Sequence, residues 1–256
     1  MTVAMDRAAR AVDPLEPIGL EELIARAGLL TRVDRKYAVT GADLEMVLEL
    51  APDGTRVLDI AGERSFDYAS TYLDTPDLDT FHGAAHRRRR RFKVRTRTYL
   101  SSGEEYLEVK TRSGAATVKS RLAGRHTDGG RLTATGADFV GSTLLHAGID
   151  PGPVERLGPV LTTEYRRTTL LLADQASRVT VDTGLRWHAL TGGHALGLPE
   201  LGIIETKSAG RVSEMDRLLW SLGIRPARIS KFATGLAALH SDLPRNRWTR
   251  TLRRHF

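Results

Sequence analysis

The chain has 256 residues, 41% of them hydrophobic, so it is long enough and apolar enough to bury a sizeable core. It contains no cysteine, which excludes disulfides, thiolate metal sites and cysteine nucleophiles. A formal net charge of +7 predicts attraction to polyanions such as nucleic acid, nucleotides, polyphosphate or an anionic membrane surface.

The middle of the chain is expected to form one domain. Residues 1–17 are rich in Ala, Arg and Asp and predict a flexible N-terminal tail, and residues 244–256 hold five arginines and predict a basic C-terminal tail. Residues 18–243 contain no long Gly, Ser or Pro linker and no repeat at a fixed period. No run of about 18 apolar residues is present, so we expect no membrane span, no secretory signal and a cytoplasmic location.

Apolar residues at helical spacing predict several short helices whose stripes pack in the core. The first helix is 20–27, where we expect Leu20 and Ile24 to be buried, and the second follows Thr40, a predicted N-cap. Further helices are predicted at 137–147, at 212–222 and at 232–240.

Alternation of apolar and polar residues predicts about eight strands, with a tight hairpin at 101–103. The predicted strands are 33–39, 69–72, 89–100, 105–111, 116–121, 163–172, 178–182 and 202–207. Because few helices separate them, these strands indicate an α+β fold class with a mainly antiparallel sheet or barrel and flanking helices.

The predicted strand at 89–100 has one cationic face. Alternate side chains of a strand point to opposite sides, so one side carries Arg91, Lys93, Arg95 and Arg97. Four like charges about 7 Å apart repel one another unless an anion lies across them. Taken alone, such a strand is also typical of a solvated sheet edge, where Lys and Arg prevent aggregation.

Five further strands each carry charged residues on one face. The pairs are Asp34 with Lys36, Glu108 with Lys110, Glu164 with Arg166, Arg178 with Asp182, and Glu205 with Lys207. We expect such faces to line the inside of a barrel that binds phosphate groups. Carboxylates among the cations indicate ligands for Mg²⁺ or Mn²⁺, and hence metal-assisted phosphoryl transfer.

Eight short motifs, in one order along the chain, resemble a known family. They are RxDxKY (Arg32 to Tyr37), YLDT (Tyr72 to Thr75), KVRTRTY (Lys93 to Tyr99), LEVKTR (Leu107 to Arg112), EYRRT (Glu164 to Thr168), RVTVDTGL (Arg178 to Leu185), IIETK (Ile203 to Lys207) and SKF (Ser230 to Phe232). Together they resemble the catalytic domain of the vacuolar transporter chaperone (VTC) polyphosphate polymerases, which belongs to the triphosphate tunnel metalloenzymes.

The resemblance implies a fold and a reaction. The implied fold is a mainly antiparallel eight-stranded β-barrel tunnel with flanking helices, in which the triphosphate of ATP lies among basic residues and Mn²⁺ or Mg²⁺. The implied reaction is transfer of the γ-phosphate of ATP to a growing inorganic polyphosphate chain, so ATP and polyphosphate are the expected partners. The SPX domain and membrane segments of eukaryotic relatives are not matched. We therefore expect no membrane transport from this chain alone, and a membrane partner stays an open question.

The resemblance also implies a set of site residues. Phosphate contacts are implied for Lys36, Arg95, Arg97, Lys110, Lys119, Arg166, Arg178, Arg228, Ser230 and Lys231. Those expected to be catalytic are Arg97, Arg166, Arg178 and Lys231. Glu205 is the implied metal ligand, with Glu108 as a candidate second ligand. Arg228 stands where the family usually has a lysine.

Other functions stay open. A tripolyphosphatase or nucleoside triphosphatase would share the fold and the metal, but such relatives typically carry ExExK on the first strand, where this chain has Asp34, Arg35 and Lys36. A non-catalytic polyphosphate-binding module would bind without metal. Nucleic-acid binding is not expected, because only 6% of the residues are aromatic and no stacking motif accompanies the basic strand.

Overall fold

The computed structural model describes residues 3–27, 33–113, 116–174 and 176–256; Arg32, in the first motif, lies outside these ranges. The helices are α1 (Val3–Val12), α2 (Leu20–Ala27), α3 (Gly41–Glu49), α4 (Asp79–Ala85), α5 (Ala134–His146), α6 (Glu214–Ser221), α7 (Lys231–Leu239) and α8 (Thr249–His255), with a 3₁₀ turn at Gly152–Arg156. No helix in this described part of the chain is long and apolar enough to cross a membrane.

The strands form one large curled sheet and a small separate hairpin. They are β1 (Glu16–Ile18), β2 (Val33–Thr40), β3 (Arg56–Leu58), β4 (Phe66–Asp74), β5 (Arg90–Tyr99), β6 (Glu105–Ser113), β7 (Ala116–Ala123), β8 (Thr127–Asp128), β9 (Arg131–Leu132), β10 (Gly158–Leu171), β11 (Arg178–Ala189), β12 (Ala195–Leu198) and β13 (Leu201–Ser208). Eight of them pair in the order β2-β13-β11-β10-β4-β5-β6-β7. They curl into an antiparallel half-barrel, which confirms the predicted fold class and its eight-stranded sheet.

Apolar residues cover the convex side of the half-barrel, as strand alternation predicts. On one half, Tyr37, Val181 and Ile204 pack in a cluster with buried residues of α1, α3 and α6. On the other half, Val94 and Val109 pack with buried residues of α5. The opposite parity carries the charged residues of the concave face and, towards one end, the apolar residues on which α7 packs.

The N-terminal segment packs on this frame, so the predicted flexible tail is wrong for residues 3–12. Ala8 and Val12 of α1 are buried in the cluster that includes α3, and Arg7 Nη1 lies 2.7 Å from Glu45 Oε2 of α3. Alanine is the best helix former and its small side chain allows close approach of a neighbouring helix. The composition that indicated a tail therefore also suits a packed helix.

The C-terminal segment packs as well, so the predicted basic tail is wrong for α8. Trp248 and Leu252 are buried in the cluster that α4 and α7 share. These two residues are four apart and so lie on one face of a helix, which leaves the arginines of the same segment on the other faces.

In α2, the prediction that Leu20 and Ile24 are buried is wrong. They are 46% and 56% exposed, whereas Leu23 and Ala27 are buried. The buried pair packs in a small cluster with Ile18 of β1, and a helix that covers so small a cluster buries only a narrow stripe.

A close contact at Gly235 seats α7 on the sheet. A Cβ built on Gly235 would lie 2.3 Å from Cδ1 of Trp187 on β11, so a larger residue cannot fit unless the ring moves. The Trp187 Nε1 also donates to the Lys231 carbonyl oxygen at 2.7 Å. These contacts fix the N-terminus of α7, with Ser230 as its N-cap, over the concave face.

Gly235→Ala is expected to lower the free energy of unfolding by about 1–3 kcal/mol, because the added methyl group overpacks against the indole ring. The control is Gly141→Ala in α5, where a Cβ meets nothing within 4 Å. It is expected to raise stability by up to about 1 kcal/mol, because alanine is the better helix former. Urea denaturation followed by circular dichroism measures the free energy of unfolding of both variants. Equal effects would contradict the proposal that close packing of Gly235 against Trp187 positions α7.

Candidate functional site

Strand register aligns charged residues of neighbouring strands across the concave face. The directly opposed positions are Lys36 with Glu205, Arg178 with Lys207, Arg167 with Asp182, Arg95 with Glu108, and Lys110 with Lys119. Directly opposed residues point to the same side of a sheet. The concave face therefore gathers ammonium, guanidinium and carboxylate groups from seven strands.

Glu108 on β6 holds three cations. Its Oε2 accepts from Arg95 Nε at 2.7 Å and its Oε1 from Lys119 Nζ at 2.6 Å, with Arg97 Nε at 3.9 Å. Burial opposes ionisation, but these cations hold the pKa of Glu108 well below its usual range. Burial also lowers the pKa of Lys119 to about 8, and the Glu108 charge only partly offsets this.

Asp182 on β11 joins a cation from the sheet to one from α7. Arg167 Nε and Nη2 donate to its two oxygens at 2.6 and 2.8 Å, a bidentate arrangement. Lys231 Nζ donates to the same carboxylate and lies 4.3 Å from the centroid of the Tyr165 ring. Burial opposes ionisation, but Arg167 and Lys231 hold the pKa of Asp182 well below its usual range.

Glu205 on β13 lies between two lysines. Its Oε2 is 3.1 Å from Lys207 Nζ and its Oε1 is 3.8 Å from Lys36 Nζ. Burial opposes ionisation, but Lys207 and Lys36 hold the pKa of Glu205 well below its usual range. Burial lowers the pKa of Lys207 to about 8, and its Nζ also donates to Thr180 Oγ1 at 3.0 Å.

The N-terminus of α7 lies beside Lys93 of β5. Ser230 Oγ accepts from the Ala233 backbone N–H at 3.3 Å and from Lys93 Nζ at 2.9 Å. The same Nζ lies 5.3 Å from the centroid of the Phe232 ring. A helix N-terminus with a lysine beside it favours the binding of an anion.

Other cations surround Lys93. Burial lowers its pKa to about 7, and neighbouring positive charges add to the shift. These neighbours are Lys36, Lys110, Arg95 and Arg91. An anion placed among them would raise the pKa of Lys93 again and restore its charged form.

Three hydroxyls are buried on the concave face without a hydrogen-bond partner among the described residues: Ser70 Oγ, Thr163 Oγ1 and Tyr165 OH. Ser70 is directly opposed to Thr163 on one side and to Arg97 on the other. A buried polar group left without a partner costs about 1–3 kcal/mol. These hydroxyls are thus suited to meet oxygen atoms of water or of a bound anion.

Residues 31–240 match the family model of the VTC domain. The chain belongs to the VTC domain family. No curated protein matches the chain.

Solved structures with a similar fold include three proposed adenylate cyclases. One, from Bacillus halodurans, is 13% identical over 80% of this chain and 96% of its own, with a TM-score of 0.47. One from Vibrio parahaemolyticus is 13% identical over 78% of this chain and 94% of its own, with a TM-score of 0.41. One from Hippeastrum, described as having a dominant triphosphatase activity, is 14% identical over 84% of this chain and 98% of its own, with a TM-score of 0.45.

In this VTC domain the concave face brings together most of the predicted site residues. They are Lys36, Arg95, Arg97, Glu108, Lys110, Lys119, Arg178, Glu205, Ser230 and Lys231. Arg228 lies in the loop before α7, where its side chain is exposed. Their roles in binding and catalysis stay predictions.

Arg166 does not face the concave side, which corrects its predicted place in the site. Its Nε and Nη2 donate to the two oxygens of Asp67 at 3.1 Å, and both side chains are partly exposed. The pairing of β10 with β4 is unbroken from Leu161 to Arg167, so side chains alternate regularly along this part of β10. Arg167 is the arginine that faces inward, because it shares its parity with Tyr165.

The inward cations that the predicted site did not include are found on several strands of this VTC domain, and Lys93, Arg167 and Lys207 are among them. With them, the concave face holds every lysine of the chain, namely Lys36, Lys93, Lys110, Lys119, Lys207 and Lys231, although lysines are only six of its 38 basic residues. Strand alternation places Lys93 and Lys207 on charged faces, and the sparing use of lysine is a second sequence signal for them; Arg167 was missed because its neighbour Arg166 was predicted to be the inward residue.

The donor set fits a metal held by one carboxylate together with phosphate oxygens. The described residues contain no group of three or more His, Asp or Glu side chains that could hold an ion. Mg²⁺ commonly binds through one or two carboxylates and substrate phosphates. Glu205 fits this mode, because it is ionised and its Oε1 is only loosely paired. Glu108 fits less well, because both its oxygens already accept short hydrogen bonds.

The adjacent residues Arg166 and Arg167 provide a matched test of the site. Arg167→Gln is expected to weaken tripolyphosphate binding by at least about tenfold, because one charge-assisted contact contributes about 1.5–3 kcal/mol. Arg166→Gln is expected to change affinity less than about twofold, because a partly exposed ion pair contributes little. Calorimetric titration measures both affinities, and thermal unfolding checks that both variants are folded. Equal losses would contradict the assignment of faces.

Lys93→Met is expected to stabilise the protein at low pH. The pKa of Lys93 is about 7 in the folded protein, below the value of about 10.4 for an unfolded chain. Below pH 7 the ammonium is charged in both states, so its burial opposes folding in full. As the pH rises from 7 towards 10, the folded protein loses this proton first, and the wild type gains stability relative to the variant.

Urea denaturation at several pH values measures this effect. We expect the variant to be more stable by roughly 3–5 kcal/mol at pH 6, with the difference falling towards zero near pH 10. A stability difference that does not change with pH would contradict the claim that burial of the Lys93 ammonium opposes folding.

Proposed function

We propose that this VTC domain is a metal-dependent polyphosphate polymerase that transfers the γ-phosphate of ATP to a growing inorganic polyphosphate chain. The observation that carries the proposal is the gathering of all six lysines of the chain on one concave face. Lysine is a compact point charge that contacts phosphate oxygens from any direction, whereas arginine holds them in a fixed fork. An arginine-rich chain that uses lysine only here is equipped for a string of phosphate groups.

The carboxylates on the same face keep the cations in place before an anion arrives. Glu108, Asp182 and Glu205 each contact two or more cations. Cations still outnumber carboxylates, so the face retains a positive charge for the triphosphate. Because phosphoryl transfer requires little covalent chemistry from the protein, positioning and charge neutralisation would supply most of the rate.

Each group has a definite part in this proposal. Lys231 and Arg167, both fixed by Asp182, bind phosphate oxygens from opposite sides, and Ser230 and the N-terminus of α7 bind a further phosphate beside Lys93. A bound Mn²⁺ or Mg²⁺, held by Glu205, supplies neutralisation of charge on the reacting phosphates. The proposal requires no nucleophilic side chain.

The first strand supports synthesis over hydrolysis. In Asp34-Arg35-Lys36, Lys36 faces inward while Arg35 faces the convex side and donates to Asp216 Oδ2 at 3.2 Å. The strand therefore lacks the pair of glutamates that hydrolytic relatives carry there. Membership of the VTC domain family supports the same direction.

Incubation with ATP and Mn²⁺, resolved by phosphorus NMR, tests the reaction. We expect ADP together with long polyphosphate. ADP with only orthophosphate would reject the proposal in favour of a triphosphatase, and no turnover with tight polyphosphate binding would favour a non-catalytic binding module.

Glu205→Gln is expected to lower turnover by at least about tenfold, because the proposed metal loses its carboxylate ligand. It should also weaken Mn²⁺ binding measured by electron paramagnetic resonance in the presence of a non-hydrolysable ATP analogue. The matched control is Glu49→Gln, at the exposed end of α3. Unchanged Mn²⁺ binding in Glu205→Gln would contradict the assigned ligand.

A further inference from the structure

Five arginines from separate parts of the chain meet beyond one end of the basic row on β5. This arginine cluster consists of Arg87 after α4, Arg91 on β5, Arg112 on β6, Arg228 before α7 and Arg247 before α8. The cluster continues the row, because Arg91 has the same parity as Lys93, Arg95 and Arg97.

Contacts on the frame hold the cluster together. Arg91 is directly opposed to Arg112 across β5 and β6. A Cβ built on Gly83 of α4 would lie 3.4 Å from the Arg91 Cβ, which places the end of α4 against the row. From the other side, Arg247 Nη1 donates to the Ala84 carbonyl oxygen at 3.2 Å.

Two further features bring in the remaining members. Thr251 Oγ1 of α8 donates to the Arg228 carbonyl oxygen at 3.1 Å, which ties the loop before α7 to α8. Arg87 has a φ of 56°, in the left-handed region. A side chain in that region costs roughly 1–2 kcal/mol relative to glycine, so the chain keeps a guanidinium at a position where glycine would be less strained.

The members repel one another. Burial lowers the pKa of Arg91 and of Arg247, and every charged neighbour that adds to these two shifts is another arginine. The Arg247 Nε is buried without a hydrogen-bond partner among the described residues. Such a cluster is suited to several anionic oxygens at once.

We propose that the arginine cluster binds phosphate groups of a long polyphosphate chain that extends past the concave face. The substrate class rests on the proposed function. The row from Arg91 to Arg97 covers six residue steps, or about 20 Å, so an anion as short as a triphosphate cannot occupy both the middle of the face and the cluster. A linear chain of many phosphates can follow the row without a break.

A long polyphosphate is favoured over RNA. Single-stranded nucleic acid is commonly bound by aromatic side chains on which bases stack. The cluster is instead built of guanidinium groups in line with the lysines of the concave face. RNA binding commonly uses aromatic side chains and polyphosphate binding does not, so competition between RNA and polyphosphate shows which of the two the cluster binds.

The test compares two pairs of exposed arginines. Arg87→Gln with Arg112→Gln removes two charges from the cluster, and Arg253→Gln with Arg254→Gln removes two charges from α8 away from it. Binding of tripolyphosphate and of long-chain polyphosphate is measured by calorimetry without ATP or metal, at several salt concentrations.

We expect the double cluster variant to bind long-chain polyphosphate about tenfold more weakly than the wild type. The salt dependence of its binding should correspond to the release of about two fewer counterions. Its affinity for tripolyphosphate and both affinities of the control pair should stay unchanged. Equal losses in the two pairs, or a parallel loss of tripolyphosphate affinity, would overturn the proposal. So would RNA of equal charge that competes as well as polyphosphate.

This experiment is separate from the test of catalysis. Length-dependent binding that depends on the cluster would stand even if ATP gave only orthophosphate. Conversely, the double cluster variant could bind long polyphosphate as tightly as the wild type while the wild type still makes polyphosphate from ATP. That result would leave the proposed function standing and reject the proposed role of the cluster.

Discussion

Cations crowded on one face of a sheet repel one another and lose hydration, and carboxylates within a few ångströms offset this cost. In this protein Glu108, Asp182 and Glu205 have this role on three different strands. Each stays ionised because of the cations it contacts. The arrangement holds the cations at fixed positions, so an incoming phosphate chain meets a preorganised surface and little side-chain entropy is lost on binding.

The placement of α7 depends on the pairing of cations with carboxylates and on the close packing of the helix against the sheet. Gly235 allows the helix to approach Trp187 closely, and Lys231 then reaches Asp182 on the sheet. A polar contact at one end of the helix and an apolar seat further along it fix both position and direction. The fold therefore presents a helix N-terminus to the charged face, where its dipole favours an anion.

Strand alternation was enough to predict the sheet, its antiparallel character and which side of most strands carries charge. It could not decide between Arg166 and Arg167, because these adjacent arginines point to opposite sides of β10 and the sequence does not say which of the two faces inward. The composition of residues 3–12 did not predict that α1 packs on the fold, because alanines and arginines are equally common in flexible tails and in surface helices. The arginine cluster was also beyond reach, since Arg91 and Arg247 meet only through tertiary packing.

The confinement of lysine to one face has a consequence for covalent chemistry. Apart from the α-amino group, the side-chain amines of this chain all face the proposed phosphate path. Acetylation, whether enzymatic or from an activated acyl compound, would therefore fall on that path and remove a positive charge with each event. For most proteins the acetylation of surface lysines leaves a ligand site untouched; here the acylation state of the chain and its capacity to hold phosphate would change together.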